Sequence, residues 1–187
     1  MDVELFGNGQ LVYKEPGGGH LVNFHQDAAF FEFSGLGPVG TLNYCVDTDL
    51  NLNNGPLYVL PNSHSRFVEH VDTSSHLGLP LKSYNVDTPG MLAVEGKAGD
   101  AIFFHQYTVH GSPPNHSGKP RPTFINRYTR PTDDVIMPLA TSTEMRTKAL
   151  EDAITSPPKR KLGLMVRGER RPKGVKGWGT DKGGQFH

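Results

Sequence analysis

The sequence predicts an all-β protein with little helix, folded as a double-stranded β-helix (the jelly-roll barrel). The chain of 187 residues contains 22 glycines and 15 prolines, and these two residue types end strands and form turns. Between them lie short apolar runs instead of long stretches with helical periodicity. A chain of this length can bury a sizeable core, and an antiparallel barrel leaves an interior that holds a metal and a small acid.

Seven candidate strands follow one another along the chain. The Asn53-Asn54-Gly55 turn predicts that 40–47 and 57–60 pair as a hairpin across a long loop. Residues 61–90 have no strand pattern and are interpreted as a surface excursion, a kind of loop that often carries function. The seven strands are 10–14, 20–25, 40–47, 57–60, 91–94, 101–104 and 123–129, the last of the barrel.

The chain changes character after these strands. Thr141 and Glu144 form a capping box before apolar residues at helical spacing, which predicts one amphipathic helix over 142–154. Residues 159–182 then contain nine lysines and arginines against two acidic residues. We therefore expect one barrel domain, 1–158, and a basic, flexible C-terminal tail, 159–187.

Composition limits the class of protein further. Acidic and basic residues balance at 19 each, and the single cysteine, Cys45, excludes an internal disulfide and fits a reducing compartment. No apolar run reaches the roughly 18 residues of a membrane span, and the first ten residues do not form a signal peptide. We expect a cytoplasmic protein with no membrane partner.

The most informative motif is His25-Gln26-Asp27. Side chains two apart on a strand point to the same face, so this imidazole and carboxylate provide two ligands of the facial triad of non-haem Fe(II) oxygenases. A second copy occurs at His70-Val71-Asp72. Only the first copy follows a strand and leaves room for four or five strands before the late histidines. We expect His25 and Asp27 to bind metal, and His70 and Asp72 to be loop residues.

The third ligand is sought among His105, His110 and His116. His110 closes an apolar run where the chain turns at Gly111-Ser112, which favours it. His105 lies an odd number of positions away and faces the other side of an unbroken strand, while His116 lies in a turn. Arg121 follows His110 by 11 residues. At the start of the next strand it can bind a carboxylate of an acidic cosubstrate with two hydrogen bonds.

Three segments resemble the phytanoyl-CoA dioxygenase family of Fe(II)- and 2-oxoglutarate-dependent oxygenases. They are His25-Gln26-Asp27, residues 53–64 (NNGPLYVLPNSH) and residues 99–121 (GDAIFFHQYTVHGSPPNHSGKPR), and the likeness covers roughly residues 8–130. The third segment is the most specific, because the family pattern has a Gly-Asp strand, a His-Gly-Ser turn and an arginine eleven residues after the histidine.

The resemblance implies a role for each of six residues. It implies that His25, Asp27 and His110 ligate Fe(II), that Arg121 pairs with the far carboxylate of 2-oxoglutarate and that Ser112 helps to hold it. It also implies that Gln10, on the strand before the motif, contacts the cosubstrate.

The same resemblance implies a reaction. With O2 as co-reactant, the protein would hydroxylate an unactivated C–H bond of a small organic substrate and release succinate and CO2. Asp27 favours a hydroxylase, because halogenating relatives have a small residue in its place. Members of the family usually carry a helical region of many tens of residues before the motif, and we expect that region to be largely absent, since 24 residues precede His25.

Three other interpretations stay open. A cupin-type metal enzyme that does not use 2-oxoglutarate would bring more histidines to its metal and would not need Arg121. A catalytically inactive binding module of the same fold is the second, and the third is nucleic-acid binding through the basic tail, with salt-sensitive affinity. The intact set of three ligands and Arg121 favours the oxygenase, and a nucleic-acid partner is not expected. The sequence indicates neither the substrate nor the oligomeric state.

Overall fold

Strands make up nearly all of the regular structure, so the prediction of a mostly β protein with few helices is confirmed. The computed structural model describes most of residues 3–130 and several shorter segments after them. The described residues are 3–30, 32–33, 40–45, 47–72, 77–78, 84–130, 135–136, 144–145, 147–148, 151–152 and 164–168.

The larger of the two main sheets has five antiparallel strands. In spatial order they are β13 (Leu164–Arg167), β1 (Val3–Lys14), β11 (Arg121–Thr129), β4 (Gly40–Cys45) and β9 (Ala101–His105). In the central pair, Lys14 of β1 lies opposite Arg121 of β11, and Gln10 lies opposite Ile125. This register places residues of the first strand beside residues more than 100 positions later in the sequence.

The second main sheet has four antiparallel strands and carries the histidines. In spatial order they are β2 (Val22–His25), β10 (His110–Ser112), β5 (Leu57–Val59) and β8 (Leu92–Val94). His110 in β10 lies directly opposite His25 in β2. Two short pairs complete the described strands: β3 (Glu32–Phe33) with β12 (Val135–Ile136), and β6 (Val71–Asp72) with β7 (Leu77–Gly78).

Alternation along β1 and β11 separates an inner face from an outer one. Residues 121, 123, 125 and 127 of β11 line an internal cavity, and Lys14 of β1 is buried beside them. Leu11 and Tyr13 of β1 are instead 55% and 46% exposed. The period of two along a strand therefore decides which residues of β11 line the cavity.

A small apolar core lies under the second sheet. Phe24 of β2 and Val109, which precedes β10, are both fully buried. The half-buried side chains packed against them are Tyr58, Leu60, Val68, Tyr84 and Met91. This cluster fixes the two strands that carry His25 and His110.

The predicted hairpin between 40–47 and 57–60 is wrong. β4 pairs with β11 and β9, whereas β5 pairs with β10 and β8 in the other sheet. The turn chemistry is present, because Asn54 accepts the N–H of Asn51 and donates to the carbonyl of Asp49. This turn lies in a loop that connects one sheet to the other. A local turn signal cannot distinguish such a loop from a hairpin.

The C-terminal predictions have mixed outcomes. Residues 123–129 belong to β11, but β12 and β13 follow, so this strand is not the last. The described residues between 144 and 152 are helical, while the rest of the predicted helix lies outside the described residues, so the helix stays a prediction. The domain boundary at 158 also stays a prediction; β13, beyond it, pairs with β1.

No helix among the described residues combines the length and the apolar character that crossing a bilayer requires. The cytoplasmic location stays a prediction.

Gly111 provides a test of the packing between β10 and β2. A Cβ added there would lie 2.9 Å from Cγ and 3.0 Å from Cα of Phe24. Because the backbone of Phe24 cannot move aside, we expect Gly111→Ala to lower the free energy of unfolding by on the order of 1–3 kcal/mol in urea denaturation. Gly118→Ala is the matched control, since a Cβ there meets nothing within 4 Å. Equal stability of the two variants would contradict this packing.

Candidate metal centre

Three predicted ligands converge at one point. His25 Nε2 lies 3.6 Å from Asp27 Oδ1, and His110 Nε2 lies 3.9 Å from the same oxygen. One donor atom from each of the three residues falls within 4.8 Å of the others. Asp27 is not on the strand, however: β2 ends at His25, and Asp27 begins a 3-10 turn, Asp27–Ala29. The turn, not strand alternation, brings the carboxylate to the histidines.

Backbone carbonyls orient both histidines. Nδ1 of His25 lies 2.6 Å from the carbonyl oxygen of Asn23, and Nδ1 of His110 lies 2.8 Å from that of Thr108. A neutral imidazole has one N–H, so an Nδ1–H that donates to the carbonyl leaves the lone pair on Nε2. In each ring Nε2 is the atom that faces Asp27, which is the tautomer that metal ligation needs.

The electrostatics of the cluster give the same protonation states. Burial lowers the pKa of His110 to about 4, assisted by the neighbouring His25. Burial alone would raise the pKa of Asp27, but its interactions with His25, His110 and Arg127 outweigh that effect and hold the pKa well below its usual range. At neutral pH the site therefore presents a carboxylate and a neutral His110 imidazole, the forms in which these groups bind metals.

Arg121 forms the second part of the site. Its side chain is buried, and its Nε and Nη2 donate to the carbonyls of Asn54 and Gly55. Nη1 donates to Thr123 Oγ1 at 2.8 Å, and Ser112 Oγ lies 3.5 Å from Nη2. The 54–55 turn thus holds the guanidinium from one side, while two hydroxyls adjoin it. A buried arginine beside hydroxyl groups is suited to binding a carboxylate.

One cavity of about 710 Å³ joins these parts. All six predicted site residues line it: Gln10, His25, Asp27, His110, Ser112 and Arg121. Gln10 lies near Arg127, with its Oε1 3.5 Å from Arg127 Nη1. The rejected candidates lie elsewhere, since neither His105 nor His116 lines the cavity and His116 is exposed.

Arg127 is a site residue that the sequence interpretation missed. Its Nε lies 3.5 Å from Asp27 Oδ2, and its side chain lines the cavity. The available signal was its spacing, because Arg127 is an even number of residues after Arg121 on one strand and therefore shares its face.

Gln26, the middle residue of the motif, was also missed. Its side chain is fully buried and bridges two loops. Nε2 donates to the carbonyls of Arg66 at 2.9 Å and Tyr107 at 2.6 Å, and Oε1 accepts the N–H of Val68 at 2.8 Å. These bonds tie the ligand motif to the excursion and to the turn that precedes His110.

His70 completes this arrangement. It lies in a loop, as predicted, but it is 3% exposed. Its Nε2 accepts the backbone N–H of Gln26 at 2.9 Å, and its Nδ1 lies 2.7 Å from the carbonyl oxygen of Val68. Of the second copy of the motif, His70 supports the first copy, and Asp72 belongs to strand β6, so its prediction as a loop residue is wrong.

The histidine–carboxylate–histidine cluster is the ligand set typical of non-haem Fe(II) oxygenases, and a buried arginine, Arg121, lines the same cavity. The family model described as phytanoyl-CoA dioxygenase (PhyH) matches residues 5–123. The chain belongs to this family. The predicted resemblance to this family is confirmed.

Individual relatives agree with this assignment. Methylphosphonate hydroxylase of Gimesia maris is 35% identical over 130 residues, which are 66% of this chain and 47% of the relative. Ectoine dioxygenase of Bordetella bronchiseptica is 38% identical over 95 residues, which are 43% of this chain and 31% of the relative. The chain therefore spans less than half the length of each of these two relatives.

A solved structure shows the same fold. The epimerase SnoN from nogalamycin biosynthesis, in complex with Fe3+, alpha ketoglutarate and nogalamycin RO, superposes with a TM-score of 0.55. It is 22% identical, and the match covers 91% of this chain and 64% of SnoN. At this level of identity the likeness supports the fold alone.

The support that His70 gives to Gln26 should depend on pH. Burial lowers the pKa of His70 to about 4, whereas an unfolded histidine titrates near 6.5. Between these values the unfolded chain binds a proton that the folded chain does not, so stability present above pH ~6.5 is lost toward pH ~4. We expect metal-free protein to lose on the order of 2 kcal/mol of unfolding free energy through His70 between pH 7 and 4.5.

Urea denaturation at the two pH values measures this loss. His70→Gln, which retains a donor and an acceptor but has no proton to gain, should lose correspondingly less than the wild type. Parallel losses in the two proteins would show that His70 does not contribute to the pH dependence.

Proposed function

We propose that this chain contains the catalytic domain of an Fe(II)- and 2-oxoglutarate-dependent hydroxylase that acts on a small organic molecule. The observation that carries the proposal is the buried cluster of His25, Asp27 and His110, which opens into the same cavity as Arg121. In the proposed reaction one oxygen atom of O2 enters a C–H bond of the substrate as hydroxyl. The other enters succinate as 2-oxoglutarate loses CO2.

In this proposal the three ligands hold Fe(II) through Nε2 of His25, Nε2 of His110 and Oδ1 of Asp27. Two imidazoles and one carboxylate are a ligand set that fits this ion, and the three residues that would hold it line the cavity. His25, His110 and Arg127 together hold the pKa of Asp27 well below its usual range and keep its carboxylate ionised, and Arg127 lies beside Oδ2. When bound, iron with 2-oxoglutarate and O2 supplies the oxidising chemistry, and the chain supplies ligands, orientation and exclusion of water.

Arg121 is assigned to the far carboxylate of 2-oxoglutarate, with Ser112 beside it. The 54–55 carbonyls fix the guanidinium before the cosubstrate arrives, so little side-chain entropy is lost on binding. The Thr123 hydroxyl, which accepts from Arg121, keeps its own O–H to donate to the same carboxylate. We retain Gln10 as a cosubstrate contact, although its nearest described cation is Arg127.

The remaining finer assignments belong to the same proposal. We assign the two main sheets to the two faces of a double-stranded β-helix that spans residues 1–158, with β13 of the basic segment 159–187 paired to its β1 strand, in a cytoplasmic protein. A small-molecule substrate is supported by the cavity of about 710 Å³ and by relatives named for methylphosphonate and ectoine. The cupin-type alternative has less support, because only two histidines accompany Asp27 among the described residues.

Anaerobic titration with Fe(II) and then 2-oxoglutarate tests the proposal through the weak visible charge-transfer band of the chelate. We expect the wild type to form the band and His110→Ala to lose iron binding. We expect Arg121→Gln to bind iron but to weaken 2-oxoglutarate binding at least about tenfold, because a charge-assisted hydrogen-bonded pair is lost.

Arg66→Gln is the matched control, since it removes an exposed arginine outside the cavity. Thermal unfolding of each variant separates a lost contact from a lost fold. Unchanged 2-oxoglutarate affinity in Arg121→Gln would refute the anchor assignment. Iron binding without a band in the wild type would point to a metal enzyme that does not use this cosubstrate.

A further inference from the structure

Lys14 is a buried lysine beside the proposed cosubstrate anchor. It ends β1 opposite Arg121 of β11, it is 1% exposed, and its side chain lines the same cavity. A buried amine needs acceptors to offset the loss of water, and the carbonyl oxygens of His20, Ser112 and Pro113 accept from Nζ. Three acceptors match the three N–H groups of an ammonium, whereas a neutral amine can donate to only two of them.

These hydrogen bonds hold the backbone that adjoins Arg121. The Ser112 carbonyl accepts from Lys14 at 3.1 Å, and the hydroxyl of the same residue lies 3.5 Å from Arg121 Nη2. The Pro113 carbonyl accepts from Lys14 at 2.6 Å and lies against Gly55, where an added Cβ would collide with it. Gly55 in turn accepts from Arg121 Nη2 through its own carbonyl. Lys14 therefore supports two of the groups that contact the guanidinium.

The main chain of Lys14 is attached to the same connection. Asn115 is fully buried between β10 and β11, and its Nδ2 donates to the Lys14 carbonyl at 3.1 Å. The side chain and the backbone of one residue thus attach the end of β1 to residues 112–115. A variant that loses only the amine retains the second attachment.

The charge of Lys14 depends on what surrounds it. Burial and, after it, repulsion from the Arg121 guanidinium lower the pKa of Lys14 to about 7. The ammonium and the neutral amine are therefore both populated near neutral pH. A carboxylate that pairs with Arg121 offsets the second of these causes and raises the pKa of Lys14, because a nearby negative charge favours the charged form of an amine.

We propose that Lys14 is a positioning residue for the cosubstrate: its ammonium holds the Ser112–Pro113 backbone in the conformation in which Arg121 and Ser112 bind 2-oxoglutarate. This inference rests on the proposed function, because it assumes that Arg121 receives the far carboxylate. Binding of the diacid then favours the ammonium, so the amine gains a proton as the site fills. By linkage, the affinity for 2-oxoglutarate falls as the pH rises from the pKa of Lys14 in the free site toward its higher pKa in the complex.

Other titratable groups line the cavity and have to be separated from Lys14. In the proposed holoenzyme three of them are metal ligands, and the two arginines keep their charge. The remaining titratable side chains that line it are Tyr13 and His20. Tyr13→Phe and His20→Gln remove these two groups, and the second variant keeps the backbone carbonyl that accepts from Lys14.

Calorimetry of the full chain tests the inference. The protein is loaded anaerobically with Fe(II), and the chelate band confirms that 2-oxoglutarate binds. Titration in two buffers of different ionisation enthalpy gives the number of protons taken up. For the wild type we expect uptake of a fraction of a proton and an affinity that falls about threefold or more between about pH 6.5 and 8.5. Tyr13→Phe and His20→Gln should show the same uptake and the same fall.

Lys14→Met removes the donors and retains an apolar side chain of similar length. We expect it to bind Fe(II) as the wild type does and to bind 2-oxoglutarate about fivefold or more weakly at about pH 6.5. It should also lose the proton uptake and the fall in affinity, which a purely structural role for the lysine would leave in place. Lys97→Met is the matched control, since it removes a lysine whose side chain is 79% exposed and lies outside the cavity.

Four outcomes would overturn the inference. The wild type could bind 2-oxoglutarate without proton uptake, or either control variant of the cavity could abolish the uptake. Lys14→Met could keep the affinity and pH dependence of the wild type, or it could lose iron together with 2-oxoglutarate, which would make Lys14 a support of the whole centre. Thermal unfolding shows whether Lys14→Met folds; if it does not, the proton uptake of the wild type and of the two cavity variants decides. Failure of the proposed function is distinguishable, because the wild-type chelate band would then be missing, and the inference would fall with it.

Discussion

The pairing of β10 with β2 is the constraint on which the candidate centre depends. Its register sets His110 opposite His25, and Phe24 and Val109 bury themselves beside that pair. Gly111 has no side chain, so the two strands approach closely at this point. A shift of the pairing register by one residue would turn the His110 side chain to the other face of the sheet, away from His25 and Asp27. The apolar packing that stabilises the sheet is therefore also what assembles the ligands.

Features that follow from short-range chemistry were predictable. His25 and Asp27 are neighbours in sequence, so their convergence needed only a strand end and a tight turn. Arg121 followed from the length of one connection after His110, whereas Ser112 came from the family resemblance. The inner face of β11 obeys the period of two, which also contains Arg127. This last residue was accessible to the same logic and was missed because its partner, Asp27, lies a hundred residues away in the sequence.

Features that depend on distant partners were not predictable in the same way. The 40–45 strand finds its partners after residue 100, so a strong local turn at Asn54 suggested the wrong pairing. A buried glutamine such as Gln26 has no sequence signature, because its side chain donates hydrogen bonds to carbonyls from two loops that are distant in sequence. His70 looked like a duplicate motif, yet burial and one backbone N–H determine what it does.

The hydrogen bonds of Gln26 join the ligand motif to Arg66 and Val68, in the segment that follows β5. Two binding events on such connected segments are thermodynamically linked, and each changes the other by the same factor. In the proposed holoenzyme, a molecule that contacts residues 66–70 and raises the affinity for the metal ion would itself bind more tightly once the ion is present. Substitutions in residues 66–70 would then alter metal retention, although none of these residues is a proposed ligand.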